Sequence, residues 1–572
     1  MPPPLSATLA PRTRLALAAL ALLLFFGALG SYPLIEPDEG RYAEIPREML
    51  TQGDFVTPRL NGVLYFEKPP LYYWLNAAAL SLPGRPELLC RLAGALFGLA
   101  GIGLAWRLGR SIAGPRVGLI SGVVLGSSPL WIVLSRANIL DMTLTFFLSA
   151  ALTCFWLAQE RERGEPGERP LWYGLFAAAA LATLTKGLIG FLIPGAVIFF
   201  YLLITRRWRL LARVPWVGGT ALFLAIALPW HLLAARRNPD FLWFYFVHEH
   251  LLRYATPEAK RQQPFWFFAA ILILGLLPWS GVLPAVARLF RRGTEEGRDG
   301  TERLRDRHGL VFLACWAGFV ILFFSASQSK LVPYILPAVP PLAVLIALGL
   351  AKAEDDARLH SLARAGGAAG ALLLALLTAA LLWVSLGRVP QVSTGLLPNL
   401  LTPALPALAA CLLSAWLWWR GRFRSLAGLA MAPALLVICL LSLAPLAAQR
   451  LSAAPIARFL APRLAPGDEV YAYRCYPQTL PVYLQRLVGV IEYQGELAFG
   501  IQHLTPEERA RRYPGAAQFR PLWSSGRTVY LVLEKEKLPR MRADGLAPGA
   551  ILVRGEKYLL MTNRPAPPRS AG

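Results

Sequence analysis

Apolar runs of about 17–22 residues, almost free of charge, recur along this chain, and a run of that length wound as a helix spans the roughly 30 Å hydrocarbon core of a bilayer. Inside hydrocarbon no water satisfies a backbone N–H or C=O, so each run has to be helical. Thirteen segments fit, near 15–30, 88–106, 117–134, 140–158, 171–184, 187–205, 215–235, 265–287, 309–325, 331–350, 366–387, 401–419 and 425–447. Composition agrees: 55% of residues are hydrophobic and 16% charged, against about 25% charged in a soluble chain, and the mean hydropathy is +0.46. The expected fold is mainly α, a polytopic membrane protein of about 13 transmembrane helices.

Arg12 and Arg14 precede the first run, and Ala28-Leu29-Gly30 faintly resembles a cleavage site. The run reads as an uncleaved helix, because the richest polar motif of the chain follows it at once. The pair 171–184 and 187–205 is parted only by Thr185-Lys186-Gly187.

The net charge of +24 is mostly arginine. No basic stretch is interleaved with aromatics on a soluble segment, so nucleic acid is not an expected partner. Basic residues instead collect in cytoplasmic loops, which resist translocation and meet anionic membrane lipids. With the N-terminus inside, the arginine-rich gaps 107–116, 161–169, 206–213, 288–307, 352–364 and 420–424 all fall on the cytoplasmic side. The loops 31–87, 135–139, 235–264, 325–330 and 388–399 then face outward, with Lys186 and the segment after 448. That orientation puts the conspicuous carboxylates, histidines and tyrosines outside, and the expected location is a bacterial inner membrane. The six cysteines are scattered, with no CxxC or zinc-ribbon spacing.

From about residue 449 the pattern changes. Short alternating runs at 469–473, 487–491, 528–533 and 558–561, separated by Gly and Pro, read as strands, with a polar helix at 506–512. Two domains are expected: a membrane domain, 1–448, which includes the loop 31–87, and an extracytoplasmic α/β domain, 449–572.

The loop after the first helix carries the chemistry. It runs Glu36-Pro37-Asp38-Glu39-Gly40-Arg41-Tyr42-Ala43-Glu44, then Asn61-Gly62-Val63-Leu64-Tyr65-Phe66-Glu67-Lys68-Pro69-Pro70-Leu71-Tyr72-Tyr73-Trp74. Taken alone, this is also what an interfacial amphipathic helix with solvated charges and aromatic anchors looks like. Later polar stretches stand at Arg136-Ala137-Asn138-Ile139-Leu140-Asp141, Leu184-Thr185-Lys186-Gly187, Val247-His248-Glu249-His250-Leu251-Leu252-Arg253-Tyr254 and Ser327-Gln328-Ser329-Lys330-Leu331-Val332-Pro333-Tyr334.

These motifs, in this order over residues 30–350, resemble the C-type glycosyltransferases, and within them the aminoarabinose lipid A transferase and protein mannosyltransferase group. The resemblance implies a polyprenyl (undecaprenyl) phosphate-linked sugar donor and a lipid A, glycan or protein acceptor. It makes Asp38 the catalytic base or acceptor-positioning group, since a carboxylate near a hydroxyl can take its proton. It maps Glu67 and His250 onto metal positions, where oxygen and nitrogen ligands suit zinc or a similar divalent ion. The departing phosphate needs fixed cations, and Arg41, Lys68, Lys186 and Lys330, with the hydroxyl of Tyr334, are the donor-phosphate candidates. Asp141, ionisable at a membrane boundary, joins Asp38 as a catalytic candidate. For Lys186 and Lys330 at helix ends, snorkelling to the headgroups is the alternative.

No P-loop, GxGxxG, HExxH or GxSxG motif occurs, so no nucleotide cofactor is expected. A secondary transporter would set paired ionisable residues near the bilayer midplane on broken helices. Here the acidic residues gather at one face.

Overall fold

The computed structural model describes residues 11–252, 262–292, 300–383, 397–423 and 425–564. Its contacts divide into two compact units: Met1–Gly27 with Leu92–Leu443, and Ala28–Arg91 with Ala444–Gly572. The division expected at 448/449 kept the loop 31–87 with the helices. By its contacts the loop belongs instead with the C-terminal segment.

The thirteen apolar segments are mainly helical over their described residues. Among the described residues, seven helices are long and apolar enough to cross a bilayer unaided, or eight with the bent pair Phe267–Gly275 and Trp279–Arg291. This count is lower than thirteen for identifiable reasons. Ile189–Thr205 and Pro403–Trp419 are apolar but short. Leu92–Ser127 is one continuous stretch only nominally, since it breaks at Ala113 and Gly114 (φ +89°) ahead of Pro115. Gly118 lies against the Trp106 carbonyl and Gly126 against Ile102, so the two halves run antiparallel as a helical hairpin. The tight break at 185–187 also holds: Glu168–Lys186 ends at Gly187 with φ +87°, a conformation that suits a residue without Cβ.

The middle of the first unit is apolar. Trp131, Trp156, Trp172, Trp279 and Trp316 are fully buried. Val339–Ala353, apolar except for Lys352 in its last turn, is buried on nearly all faces, as a helix at the centre of a bundle should be. Arg136 closes the end of the helix Pro11–Phe26, where a cation complements the dipole. Its guanidinium donates to the carbonyls of Leu24 (2.8 Å) and Gly27 (2.6 Å).

Among its described residues the second unit holds two sheets. Strands β1 (Arg59–Leu60) and β2 (Val63–Leu64) form a hairpin over the turn Asn61-Gly62, the dipeptide that favours such turns. The others are β3 (Glu469–Tyr473), β4 (Gly489–Ile491), β5 (Val529–Glu534), β6 (Ala550–Arg554) and β7 (Tyr558–Thr562), in spatial order β4-β3-β5-β7-β6. β3 runs parallel to β4 and β5, while β7 is antiparallel to β5 and β6. All four expected strands are present, and β6 is additional to them. Thr505 caps the helix Pro506–Arg512 through a reciprocal box with Glu508.

Within this unit the loop is clamped to the C-terminal segment. Asn61 donates to the Val488 carbonyl (2.9 Å) and accepts from its N–H (3.1 Å), while the Tyr513 hydroxyl donates to the Asn61 carbonyl (2.8 Å). Leu34, Ala43, Cys90 and Val482 share one apolar cluster. Glu39, Arg41, Glu44 and Glu48, on the helix Asp38–Gln52, are buried. A freely solvated interfacial helix is therefore not what this motif makes.

Candidate active site

The loop motif is built from Glu36 outward. Its carboxylate accepts from the N–H of Gln478 (2.8 Å) and from the N–H (2.9 Å) and hydroxyl (2.5 Å) of Thr479. Burial still lifts the Glu36 carboxyl to about 7 against these bonds. The anchor starts the helix Asp38–Gln52 directly over residues 478–479. A Cβ on Gly40 would lie 2.7 Å from the Gln478 carbonyl carbon, so only glycine permits the approach.

Asp38 and Arg41 are thereby set one turn apart. Arg41 donates to Asp38 Oδ1 at 3.1 Å and to Glu496 Oε2 at 2.5 Å. Glu496 in turn accepts from the Gln478 side-chain amide. The Arg41 side chain is 8% exposed and that of Asp38 44%, so the base is buried and the acid is accessible. Burial opposes the Arg41 charge, but Tyr65, Glu496, Asp38 and Glu67 around it hold it firmly protonated. Burial raises the Glu496 carboxyl, with Arg41 pulling the other way. Arg41 Nε is buried and has no hydrogen-bond partner among the described residues. Lys68 Nζ donates to the Glu67 carbonyl at 2.6 Å. Asp38, Arg41 and Glu67 thus form one charged cluster with Glu496, and Lys68 adjoins Glu67 in the chain.

The membrane unit holds a second group. Asp141, in the first turn of Leu140–Gln159, forms an ion pair with Lys186, the last residue of its helix. Lys186 Nζ also lies 4.2 Å from the centre of the Tyr334 ring, a cation–π distance. Lys330 does not snorkel: it is buried, and its ammonium donates to the carbonyls of Ser327 (2.7 Å) and Gln263 (3.1 Å). Asp141, Lys186 and Tyr334 come together as expected candidates, while Lys330 is turned to backbone carbonyls.

Among the described residues no group of three His, Cys, Asp or Glu side chains assembles that could hold a metal ion. The His250 side chain and the motif residues Arg253 and Tyr254 lie outside the described residues. His248 Nδ1 is 3.3 Å from Glu249 Oε1.

Glu496 and Gln478 carry no sequence signal of their own. They stand 455 and 437 positions from Arg41, on the C-terminal segment, and nothing local distinguishes them from other surface-type residues.

Comparison with known proteins accords with this architecture. Residues 11–246 match the family model described as dolichyl-phosphate-mannose-protein mannosyltransferase, and residues 456–563 match the aminoarabinose transferase C-terminal domain. The undecaprenyl phosphate-alpha-4-amino-4-deoxy-L-arabinose arabinosyl transferase of Edwardsiella ictaluri is 35% identical over 337 residues, 58% of each chain. The protein of the same name from Aeromonas salmonicida is 35% identical over 339 residues, 59% of each. The chain thus matches under two thirds of the length of these curated relatives. The crystal structure of ArnT from Cupriavidus metallidurans bound to undecaprenyl phosphate is 31% identical, with a TM-score of 0.83 over 97% of this chain and 99% of that one. Its apo form gives 30% and 0.81. The chain belongs to the ArnT-like family of C-type glycosyltransferases, as a multi-pass membrane protein.

Proposed function

We propose that the protein transfers a 4-amino-4-deoxy-L-arabinose-type sugar from undecaprenyl phosphate to lipid A or another cell-envelope acceptor on the periplasmic face. The observation that carries this is the near full-length likeness, at 31% identity, to the Cupriavidus metallidurans ArnT solved with undecaprenyl phosphate. In the transfer, the bond from the anomeric carbon to the donor phosphate breaks and the acceptor oxygen takes its place. The acceptor proton passes to Asp38, and the electron pair leaves with the lipid phosphate, stabilised by Arg41 and Lys68. If the acceptor is itself a phosphate, no proton need move and Asp38 orients it. The test is incorporation of labelled sugar by purified protein from the lipid-linked donor, with no nucleotide sugar added. Flux of donor without a covalent product would instead support a transporter. The mannosyltransferase model over residues 11–246 favours a second reading, transfer of a hexose to protein or glycan. Mass spectrometry of lipid A and envelope glycans with and without the gene separates the two.

This reading sets thirteen crossings, with loop 31–87 and the segment after 448 outside, on the arginine asymmetry of the loops. A reporter fused after Arg450 should read as extracytoplasmic, and a cytoplasmic signal would reverse the orientation.

Lys68 shortly precedes Tyr72-Tyr73-Trp74 in the loop, and the proposal sets it at the depth where a polyprenyl phosphate carries its head. A charge-assisted bond contributes about 1.5–3 kcal/mol, so Lys68→Ala should weaken donor affinity about 10- to 150-fold. Titration of donor into nanodisc-embedded protein measures this, and an unchanged affinity would place the phosphate elsewhere.

A divalent ion held by Glu67 and His250 belongs to the same proposal. His250→Ala should then lose stoichiometric metal together with activity. Elemental analysis that finds no divalent ion in fully active protein would remove the metal from the scheme.

A further inference from the structure

Beyond the carboxyl end of β4 lies a cleft of about 630 Å³, formed wholly by residues between Glu492 and Gln518. β4 is the edge strand of the parallel part of its sheet, and crevices at the carboxyl ends of parallel strands are where open α/β sheets take ligands. The cleft has fixed walls. Glu492 sits at φ +54°, an unfavourable region for a residue with a Cβ. It is held there by donation from its N–H to the Pro514 carbonyl (3.2 Å) and by acceptance at Oε1 from the Ala516 N–H (2.8 Å). Gln518 accepts from the Gly515 N–H at 3.1 Å, which leaves its amide NH₂ for a ligand. Arg509, exposed on the helix Pro506–Arg512, has neither an ion pair nor a side-chain hydrogen bond among the described residues. Leu504, half-buried, supplies apolar surface between these groups, with Ile501 and Pro514 buried in the lining.

A carboxylate, an amide and a guanidinium set around an apolar floor can satisfy the two sides of a sugar at once. Ring hydroxyls donate to Glu492 and accept from Gln518 and Arg509, while C–H faces rest on the floor. The volume falls within the roughly 300–1,000 Å³ of small-molecule sites. The wall of the cleft continues into the charged cluster: Tyr493 lines the cleft, and Glu496 in the same short segment pairs with Arg41.

We propose that this cleft binds a saccharide, and that its occupant is the sugar head of the acceptor glycolipid. The identity of the occupant rests on the transferase reading, whereas saccharide binding does not. The probe is de-acylated lipid A, a phosphorylated glucosamine disaccharide, titrated against full-length protein in nanodiscs and followed by saturation-transfer NMR. The wild type should saturate the ring protons. Arg509→Ala and Gln518→Ala, both at exposed positions, should each weaken binding about tenfold or more, the scale of one lost charge-assisted or buried polar contact. With intact acceptor, KM should rise by a similar factor while kcat holds.

Absence of ring-proton saturation in the wild type overturns the proposal, as does unchanged affinity in both variants. Displacement of the disaccharide by inorganic phosphate at equal concentration overturns it too, since the cleft would then be an anion site. Binding that depends on Arg509 and Gln518 in a protein with no transfer activity upholds the cleft and rejects the transferase reading. Transfer with unchanged acceptor KM in variants that have lost binding upholds the transferase and rejects the acceptor role.

Discussion

Asp38→Asn is expected to leave the protein inserted and folded but to lower transfer by about 10²-fold or more, the scale of lost acid–base catalysis. The geometry makes the substitution clean. Asp38 opens the helix Asp38–Gln52, and its side chain is 44% exposed, so no buried packing changes with an isosteric amide. Arg41 loses one ion-pair partner at 3.1 Å but keeps Glu496 at 2.5 Å. The helix itself is anchored through Glu36 rather than Asp38. Donor titration, kcat and acceptor KM read separately distinguish the roles. A base affects kcat, whereas a group that only orients an anionic acceptor acts mainly on acceptor KM. Turnover near wild type, with correct folding, would take Asp38 out of the mechanism.

The helices are readable from sequence because a bilayer imposes a local rule. Any stretch that crosses it must be apolar over about 20 residues, and that is visible without knowledge of contacts. The break at Gly187 and the turn at Gly114-Pro115 are legible for the same reason, as short polar or helix-breaking interruptions. Strands β3, β4, β5 and β7 are legible from alternation. β6 is harder to see, because Gly549-Ala550-Ile551-Leu552-Val553 does not alternate and merges with its Gly/Pro surroundings. The hairpin β1–β2 does carry a local signal, the Asn61-Gly62 turn, but its strands are only two residues long and show no period.

Pairing across distance leaves no such trace. Asp38 and Arg41, three apart on a helix, are neighbours by periodicity alone. The partner that completes them, Glu496, lies in another part of the chain, and so does Gln478. For the same reason the loop 31–87 groups by sequence with the helices that flank it, although its contacts are with residues after 443. Charge and position rank Lys330 with the phosphate-binding cations. Its two carbonyl acceptors, one from Gln263, are visible only in the folded chain.

Arg91→Ala should be the most destabilising single substitution in the unit that carries the loop. Arg91 is fully buried and spends all five of its N–H donors. Nε and Nη2 grip the Glu39 carboxylate at 2.8 and 2.6 Å. Nη1 donates to the carbonyls of Leu29 and Tyr32, both at 3.0 Å, and Nη2 to that of Pro33 at 3.1 Å. The guanidinium also lies 3.9 Å from the centre of the Tyr32 ring. One side chain thus ties residues 29–39 together, immediately ahead of and including the start of the Asp38 helix. Removing it leaves the buried Glu39 carboxylate without its cation, with the Ile35 N–H (2.9 Å) still donating to it, and strips three carbonyls of this donor, which for a buried pair costs about 3–5 kcal/mol. Arg91→Lys should recover little, because an ammonium cannot form the two parallel bonds to Glu39 or reach three carbonyls at once. Replacing both members, as in Arg91→Met with Glu39→Leu, should recover part of the loss, since an apolar pair of similar volume carries no stranded charge. Chemical unfolding followed by tryptophan fluorescence, with limited proteolysis of the folded protein, measures the series. Activity should fall with stability in Arg91→Ala, because Asp38 adjoins the residue that has lost its partner. Unfolding of Arg91→Ala at the wild-type midpoint would show that the carbonyls and Glu39 find other donors, and that this network does not hold the loop in place.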